Sequence, residues 1–114
     1  MNRVGIYYAF WEREWAADFR PYVKKVKALG FDTLEIAAGA LPDMTAADRR
    51  ALRDEAEAEG IQLTCCMGLD PAHDVSSADE AVRCEGIRYV GEVLDCIHEI
   101  GSHVFSGINY AYWP

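Results

Sequence analysis

Strand-like and helix-like stretches alternate along these 114 residues, each helix pattern stops at a glycine, and the first three strand starts are spaced by 29 residues, with a longer unit of 41 before the fourth at His103. Together these features predict an α/β fold of parallel βα units. The starts lie near Val4, Thr33 and Gln62. Strand, helix, strand repeats give a parallel sheet with right-handed crossovers. A period near 30 residues matches one unit of a (β/α)8 TIM barrel of about 250 residues. A small open sheet of four parallel strands is the other arrangement this order allows. Nothing marks a linker or a second domain, so residues 1–114 read as a single partial domain of about four strands and three helices.

The first strand is expected in the apolar run Val4 to Phe10. A helix follows from Phe19 or Arg20 to Leu29, with Pro21 tolerated in its opening turn and Tyr22, Val26 and Leu29 on one face. Gly30 suits the left-handed position that closes it, and Thr33 to Ala37 forms the second strand. Thr45-Ala46-Ala47-Asp48 resembles a capping box and announces a second helix to Glu59, stopped by Gly60. Ile61 to Met67 has the length and apolar content of a buried strand. Ser77-Ala78-Asp79-Glu80 is a second capping pattern, and apolar residues after it, among them Ile87, Val93, Leu94 and Ile97, recur at helical spacing up to Gly101. His103 to Ser106 begins a fourth strand, and Gly107 to Pro114 reads as a strand end and loop. Such a sheet keeps open edges and an uncovered inner face, so self-association is expected.

Composition narrows the functional classes. A hydrophobic fraction of 51% and a charged fraction of 26% are ordinary for a globular chain. No apolar run approaches the roughly 20 residues of a membrane helix, and the first ten residues lack a signal-peptide pattern, so a cytoplasmic location is expected. The net charge of -8 argues against nucleic acid or an anionic membrane as partner. Cys65, Cys66, Cys84 and Cys96 are not spaced as C-x-x-C and read as free thiols in a reducing compartment. Neither a dinucleotide or phosphate-binding glycine loop nor a G-x-S-x-G elbow is present.

Several side chains could carry chemistry. Asp70, His73 and Asp74 follow the third strand and could supply metal ligands, although three such residues in one loop more commonly cap or face solvent. His98 in a helix and His103 at a strand start read as structural. Glu35 is a carboxylate inside an apolar strand, where an acid needs a partner or a shifted protonation. Aromatics crowd the loops after the first strand (Tyr7, Tyr8, Phe10, Trp11, Trp15) and after the fourth (Tyr110, Tyr112, Trp113), which suits either packing or the apolar faces of a sugar. Adjacent Cys65 and Cys66 end the third strand and point to opposite sides of it.

The ordered set Val4 to Trp11 with Glu14-Trp15, Leu29-Gly30-Phe31-Asp32 with Leu34-Glu35-Ile36, Cys65-Cys66-Met67-Gly68-Leu69, and Val104-Phe105-Ser106-Gly107 with Trp113-Pro114 resembles the N-terminal part of D-tagatose 3-epimerase and its D-psicose (D-allulose) 3-epimerase relatives. The resemblance implies the N-terminal half of a (β/α)8 barrel of the xylose-isomerase-like type. It implies an isomerase of carbohydrate metabolism that epimerises free ketohexoses such as D-tagatose, D-fructose or D-psicose at carbon 3. A divalent ion, Mn2+ or alternatively Co2+ or Mg2+, would stabilise the enediolate while two carboxylates work on opposite faces. It assigns Tyr7, Trp15, Cys66, Ile108 and Trp113 to a mostly apolar wall around the sugar, Gly68 to close approach beside that wall, and Glu35 to a place behind it. Tyr7 and Ile108 fall where relatives differ, which bears on substrate preference. All metal ligands and both catalytic carboxylates would come from the other half-barrel, so no catalytic or metal residue is expected here, nor turnover by these residues alone. A dimer or tetramer is expected for the complete enzyme. Two other readings are a different sugar isomerase or epimerase of the same barrel superfamily, and a non-catalytic stand-alone α/β binding module.

Overall fold

The computed structural model describes residues 1–15 and 17–114. Four strands, β1 (Gly5–Tyr7), β2 (Thr33–Ala37), β3 (Gln62–Cys66) and β4 (Phe105–Ser106), stand side by side in chain order and all pair in parallel. Helices α1 (Arg20–Ala28), α2 (Ala46–Glu59) and α3 (Glu80–Glu99) form the three crossovers. Short 3₁₀ turns at Tyr8–Phe10, Ala38–Ala40 and Pro71–His73 follow the first three strands.

Period-two alternation decides which side chains the helices cover. Leu34 and Ile36 of β2 and Leu63 and Cys65 of β3 are buried, and they join Val23, Val26, Leu52, Ala56, Val93 and Ile97 of the helices in one apolar core. Full burial of each large aliphatic side chain contributes about 1.5–3 kcal/mol. The other face of the sheet carries Tyr7, Glu35 and Thr64 in one register row and Ala37 and Cys66 in the next, with Glu35, Thr64 and Cys66 only half-buried.

Helix α1 buries Val23 and Val26, with Phe19, its N-terminal flank, beneath them. Leu29, expected on that face, is exposed instead, because the buried stripe is centred on Phe19, Val23 and Val26 and leaves Tyr22 and Leu29 at its edge. The N-terminus of α2 follows expectation. The Asp48 N–H donates to Thr45 Oγ1 at 3.0 Å, the Thr45 hydroxyl donates to Asp48 Oδ2 at 2.8 Å, and Gly60 closes the helix at φ 67°. Arg49 locks α2 to its surroundings, donating to Glu99 of α3 at 2.5 Å and to the Leu41 and Met44 carbonyls at 2.9 and 2.5 Å.

Two further elements, β1 and α3, depart from the sequence expectation. Strand β1 ends at Tyr7 rather than running to Phe10, because the apolar run continues into a turn whose Tyr8 is fully buried. The cap of α3 is Asp79, which accepts from the Ala81 N–H at 2.9 Å, whereas the Ser77 hydroxyl accepts from Asp79 N–H one step earlier. Ile87 and Leu94 face outward, since the core needs only the α3 stripe through Gly86, Val93, Cys96, Ile97 and Ile100. Among the described residues no helix is long and apolar enough to cross a membrane.

The hydrogen-bond ladder of β4 outruns its two strand residues. Cys65 N–H donates to Val104 O at 3.0 Å, Met67 N–H to Ser106 O at 3.1 Å and Leu69 N–H to Ile108 O at 3.2 Å. Gly107 makes the closing step possible: it sits at φ 102°, and a Cβ there would lie 2.5 Å from the Met67 carbonyl oxygen. Gly107→Ala is therefore expected to cost more than about 1 kcal/mol, seen as a thermal midpoint lowered by about 4 °C or more. An unchanged midpoint would show that the β3–β4 end is not packed in this way.

Candidate functional site

The C-terminal ends of the strands open into a cleft of about 660 Å³. In a parallel βα sheet this is the end where loops converge on ligands. Tyr7 enters it from the end of β1, Cys66 from the end of β3, Gly68 and Ile108 from the segments just beyond β3 and β4, and Trp15 and Trp113 from the loops after β1 and β4. All six residues assigned to the sugar wall thus border the same cleft. Met67, Leu69 and Pro71 extend its apolar lining, and Asp43 and Asp70 add carboxylates that sequence reasoning did not select for the wall. The available signal for both was their position in the loops directly after β2 and β3.

Each wall residue has a local reason for its place. Cys66 faces the cleft because it alternates with Cys65, which is fully buried under the helices. Burial pushes the Cys65 thiol up to about 12. Burial also raises the Cys66 thiol, and the nearby Glu35 charge adds to this, while a hydrogen bond with Tyr7 opposes it. Burial, reinforced by the Cys66 thiol, likewise holds the Tyr7 hydroxyl far above its usual range, so this part of the wall stays neutral at working pH. At Gly68 nothing lies within 4 Å of where a Cβ would stand.

The two tryptophans are mostly exposed at the rim, at 74% for Trp15 and 66% for Trp113. Trp15 is anchored through the core: the Tyr8 hydroxyl donates to its carbonyl at 2.7 Å and to that of Glu14 at 3.2 Å, while the Tyr8 ring packs edge-on against Phe19 at 5.0 Å. Trp113 N–H donates to Leu69 O at 3.2 Å. Other aromatics serve packing or solvent. Trp11 stacks on Tyr22 at 5.7 Å with Lys25 Nζ 4.5 Å above the indole, and Phe10 and Tyr110 are exposed away from the cleft.

Glu35 stands outside the cleft lining, one register row below Ala37 and Cys66 and between Tyr7 and Thr64, whose hydroxyl donates to it at 3.4 Å. Asp70, His73 and Asp74 are occupied locally. Asp70 Oδ1 caps the 3₁₀ turn by accepting from the Ala72 and His73 N–H groups at 2.8 and 3.1 Å, and His73 Nδ1 lies 2.9 Å from Asp70 Oδ2. Asp74 accepts from the Ser76 N–H and hydroxyl. His98 and His103 are exposed and do not border the cleft. Among the described residues no group of three or more His, Cys, Asp or Glu side chains could hold a metal ion, so these residues do not fit the divalent ion the resemblance implies. A second hollow of about 420 Å³, lined by residues such as Glu12, Asp18, Tyr22 and Lys25, lies at the start of α1 and contains none of the six wall residues.

Two measurements follow from this geometry. Tyr8→Phe keeps the ring packing and removes only the hydroxyl, so it is expected to cost about 1 kcal/mol in urea unfolding; no loss would mean the loop carbonyls are equally satisfied by water. All four cysteines are free. A thiol reagent at pH 8 is expected to modify exposed Cys84 first and Cys66 far more slowly, and to reach Cys65 only on unfolding. Early labelling of Cys65 would contradict its burial.

No family model matches the chain. It is 38% identical to the D-psicose 3-epimerase of Agrobacterium fabrum over 110 residues, covering 96% of this chain and 38% of that protein. It is 39% identical to the D-psicose 3-epimerase of Ruminiclostridium cellulolyticum, again over 96% of this chain and 38% of the relative. The crystal structure of D-psicose 3-epimerase in the presence of D-fructose superposes with a TM-score of 0.96 at 37% identity, over 99% of this chain and 39% of that one. The chain spans less than two-fifths of the length of these curated relatives. Its four parallel strands and three helices are accordingly part of a barrel, and over the stretch that it spans the chain is similar to D-psicose 3-epimerases in both sequence and fold.

Proposed function

We propose that this chain forms part of the sugar-binding wall of a ketose 3-epimerase, an isomerase acting on a free ketohexose such as D-tagatose, D-fructose or D-psicose. The observation that carries the reading is the convergence of Tyr7, Trp15, Cys66, Gly68, Ile108 and Trp113 on one cleft at the C-terminal strand ends. Similarity to D-psicose 3-epimerases at 38 and 39% identity supports the choice of reaction.

Epimerisation at carbon 3 removes a proton acidified by the neighbouring ketone and returns one to the opposite face. These residues do neither. Their part is to bind, to orient and to exclude water. The indoles of Trp15 and Trp113 offer flat apolar surfaces to the C–H faces of the sugar. The Tyr7 hydroxyl, kept protonated, can donate to a sugar oxygen, and the Cys66 thiol and Ile108 fill the wall between. Gly68 leaves room beside them, and Glu35 supports the wall from the row beneath. By the resemblance, the divalent ion, Mn2+, would take its ligands from the other half-barrel and would supply the charge that stabilises the enediolate there. The complete protein is read as a cytoplasmic homo-oligomer with neither nucleic acid nor membrane as partner.

The test is to give the complete gene product D-fructose or D-tagatose with Mn2+ and to analyse the products by chromatography. The carbon 3 epimer is expected, and its absence overturns the reading. Trp113→Ala is expected to raise KM by about ten-fold, the worth of one aromatic contact, with a smaller effect on kcat. The 114 residues by themselves are expected to give no turnover.

A further inference from the structure

The segment after β4 leaves the sheet at Ile108 and returns at Trp113, and both attachments are to one residue. Leu69 N–H donates to Ile108 O and Trp113 N–H donates to Leu69 O, each at 3.2 Å, and Leu69 bridges to Tyr112. The intervening segment bulges outward, with Tyr110 at 69% exposure. Backbone bonds at the very end of a ladder are the kind that open first.

A third attachment comes from a side chain. Asp74 Oδ1 accepts from the Tyr112 N–H at 3.2 Å. The same oxygen accepts from the Ser76 N–H at 2.9 Å and the Ser76 hydroxyl at 2.7 Å, so the carboxylate is fixed by its own turn before it reaches across. Hydrogen bonds from Ser76, with that from Tyr112, hold the carboxyl below the usual range, so it meets Tyr112 as an anion and the bond is charge-assisted. Asp74 does not itself border the cleft.

We propose that Asp74 is a positioning residue: by tying the loop between β3 and α3 to the backbone beside Trp113, it holds that indole on the cleft wall. The consequence for turnover rests on the sugar reading given above, whereas the tie itself does not.

Labelling the complete gene product with 5-fluorotryptophan separates the two. The 19F resonance that Trp113→Phe removes belongs to Trp113. Asp74→Ala is expected to shift that resonance toward the position of free fluorotryptophan while leaving the others in place. Asp74→Asn, whose amide oxygen can accept the same bonds, is expected to keep it near its original position. Ser76→Ala disturbs the same turn but spares the bond to Tyr112, and is expected to keep it too. With D-fructose as substrate, Asp74→Ala is expected to raise KM by about five-fold, the equivalent of one net hydrogen bond, and to leave kcat within about two-fold. A Trp113 resonance unmoved by Asp74→Ala, or moved equally by Ser76→Ala, overturns the proposal. If the unmodified protein gives no carbon 3 epimer, the sugar reading falls and the fluorine spectra alone decide on the tie.

Discussion

Side chains of β2 and β3 point alternately to the two faces of the sheet, and that pleat assigns each residue its job. Leu34, Ile36, Leu63 and Cys65 go under the helices, while Glu35, Thr64 and Cys66 go to the open face. A slip of one residue in either strand would reverse the assignment. It would press a carboxylate or a hydroxyl into the apolar core and turn leucines to solvent, at a cost of several kcal/mol. The cleft therefore inherits its geometry from the core. Tyr7 and Cys66 meet across the strand ends because the residues one place away in sequence have no tolerable alternative to burial.

Much of this was legible in the residues. Thr45 with Asp48 and Gly60 delimit α2 through chemistry that is local in sequence, and the β2 and β3 starts follow from short apolar runs between helix stops. Alternation lets only one of Cys65 and Cys66 face the strand-end cleft, and the family resemblance selected Cys66. The wall as a set was legible only through family resemblance, since no spacing rule brings Trp15, Ile108 and Trp113 together. What was not legible depends on tertiary packing. Tyr8 resembles its neighbour Tyr7 in sequence, yet one fills the core and the other faces the cleft, because the chain turns between them. Ser77 and Asp79 are equally good caps on paper, and the three-dimensional path of the loop decides for Asp79. Ile87 and Leu94 fit the helical period, but period alone does not say where the buried stripe ends.

The two rim tryptophans are placed by different means. Trp15 is held from beneath by a buried phenol, so its position is coupled to the stability of the core. Trp113 is held from the side, by backbone and carboxylate contacts at the edge of the sheet. The two sides of the rim thus rest on different supports, one on a buried phenol and the other on contacts at the edge of the sheet.

Two glycines at the strand ends differ in the freedom they leave to sequence change. Gly107 is wedged against the Met67 backbone, and nothing larger fits. Gly68 is only one residue beyond Met67, yet the direction a side chain would take there is empty. A methyl or hydroxymethyl group at that position would subtract volume from the cleft and touch nothing in the core. Room beside the cleft lining and close packing of the β3–β4 end are in this way set by separate glycines, so a change at Gly68 leaves the contacts that constrain Gly107 untouched.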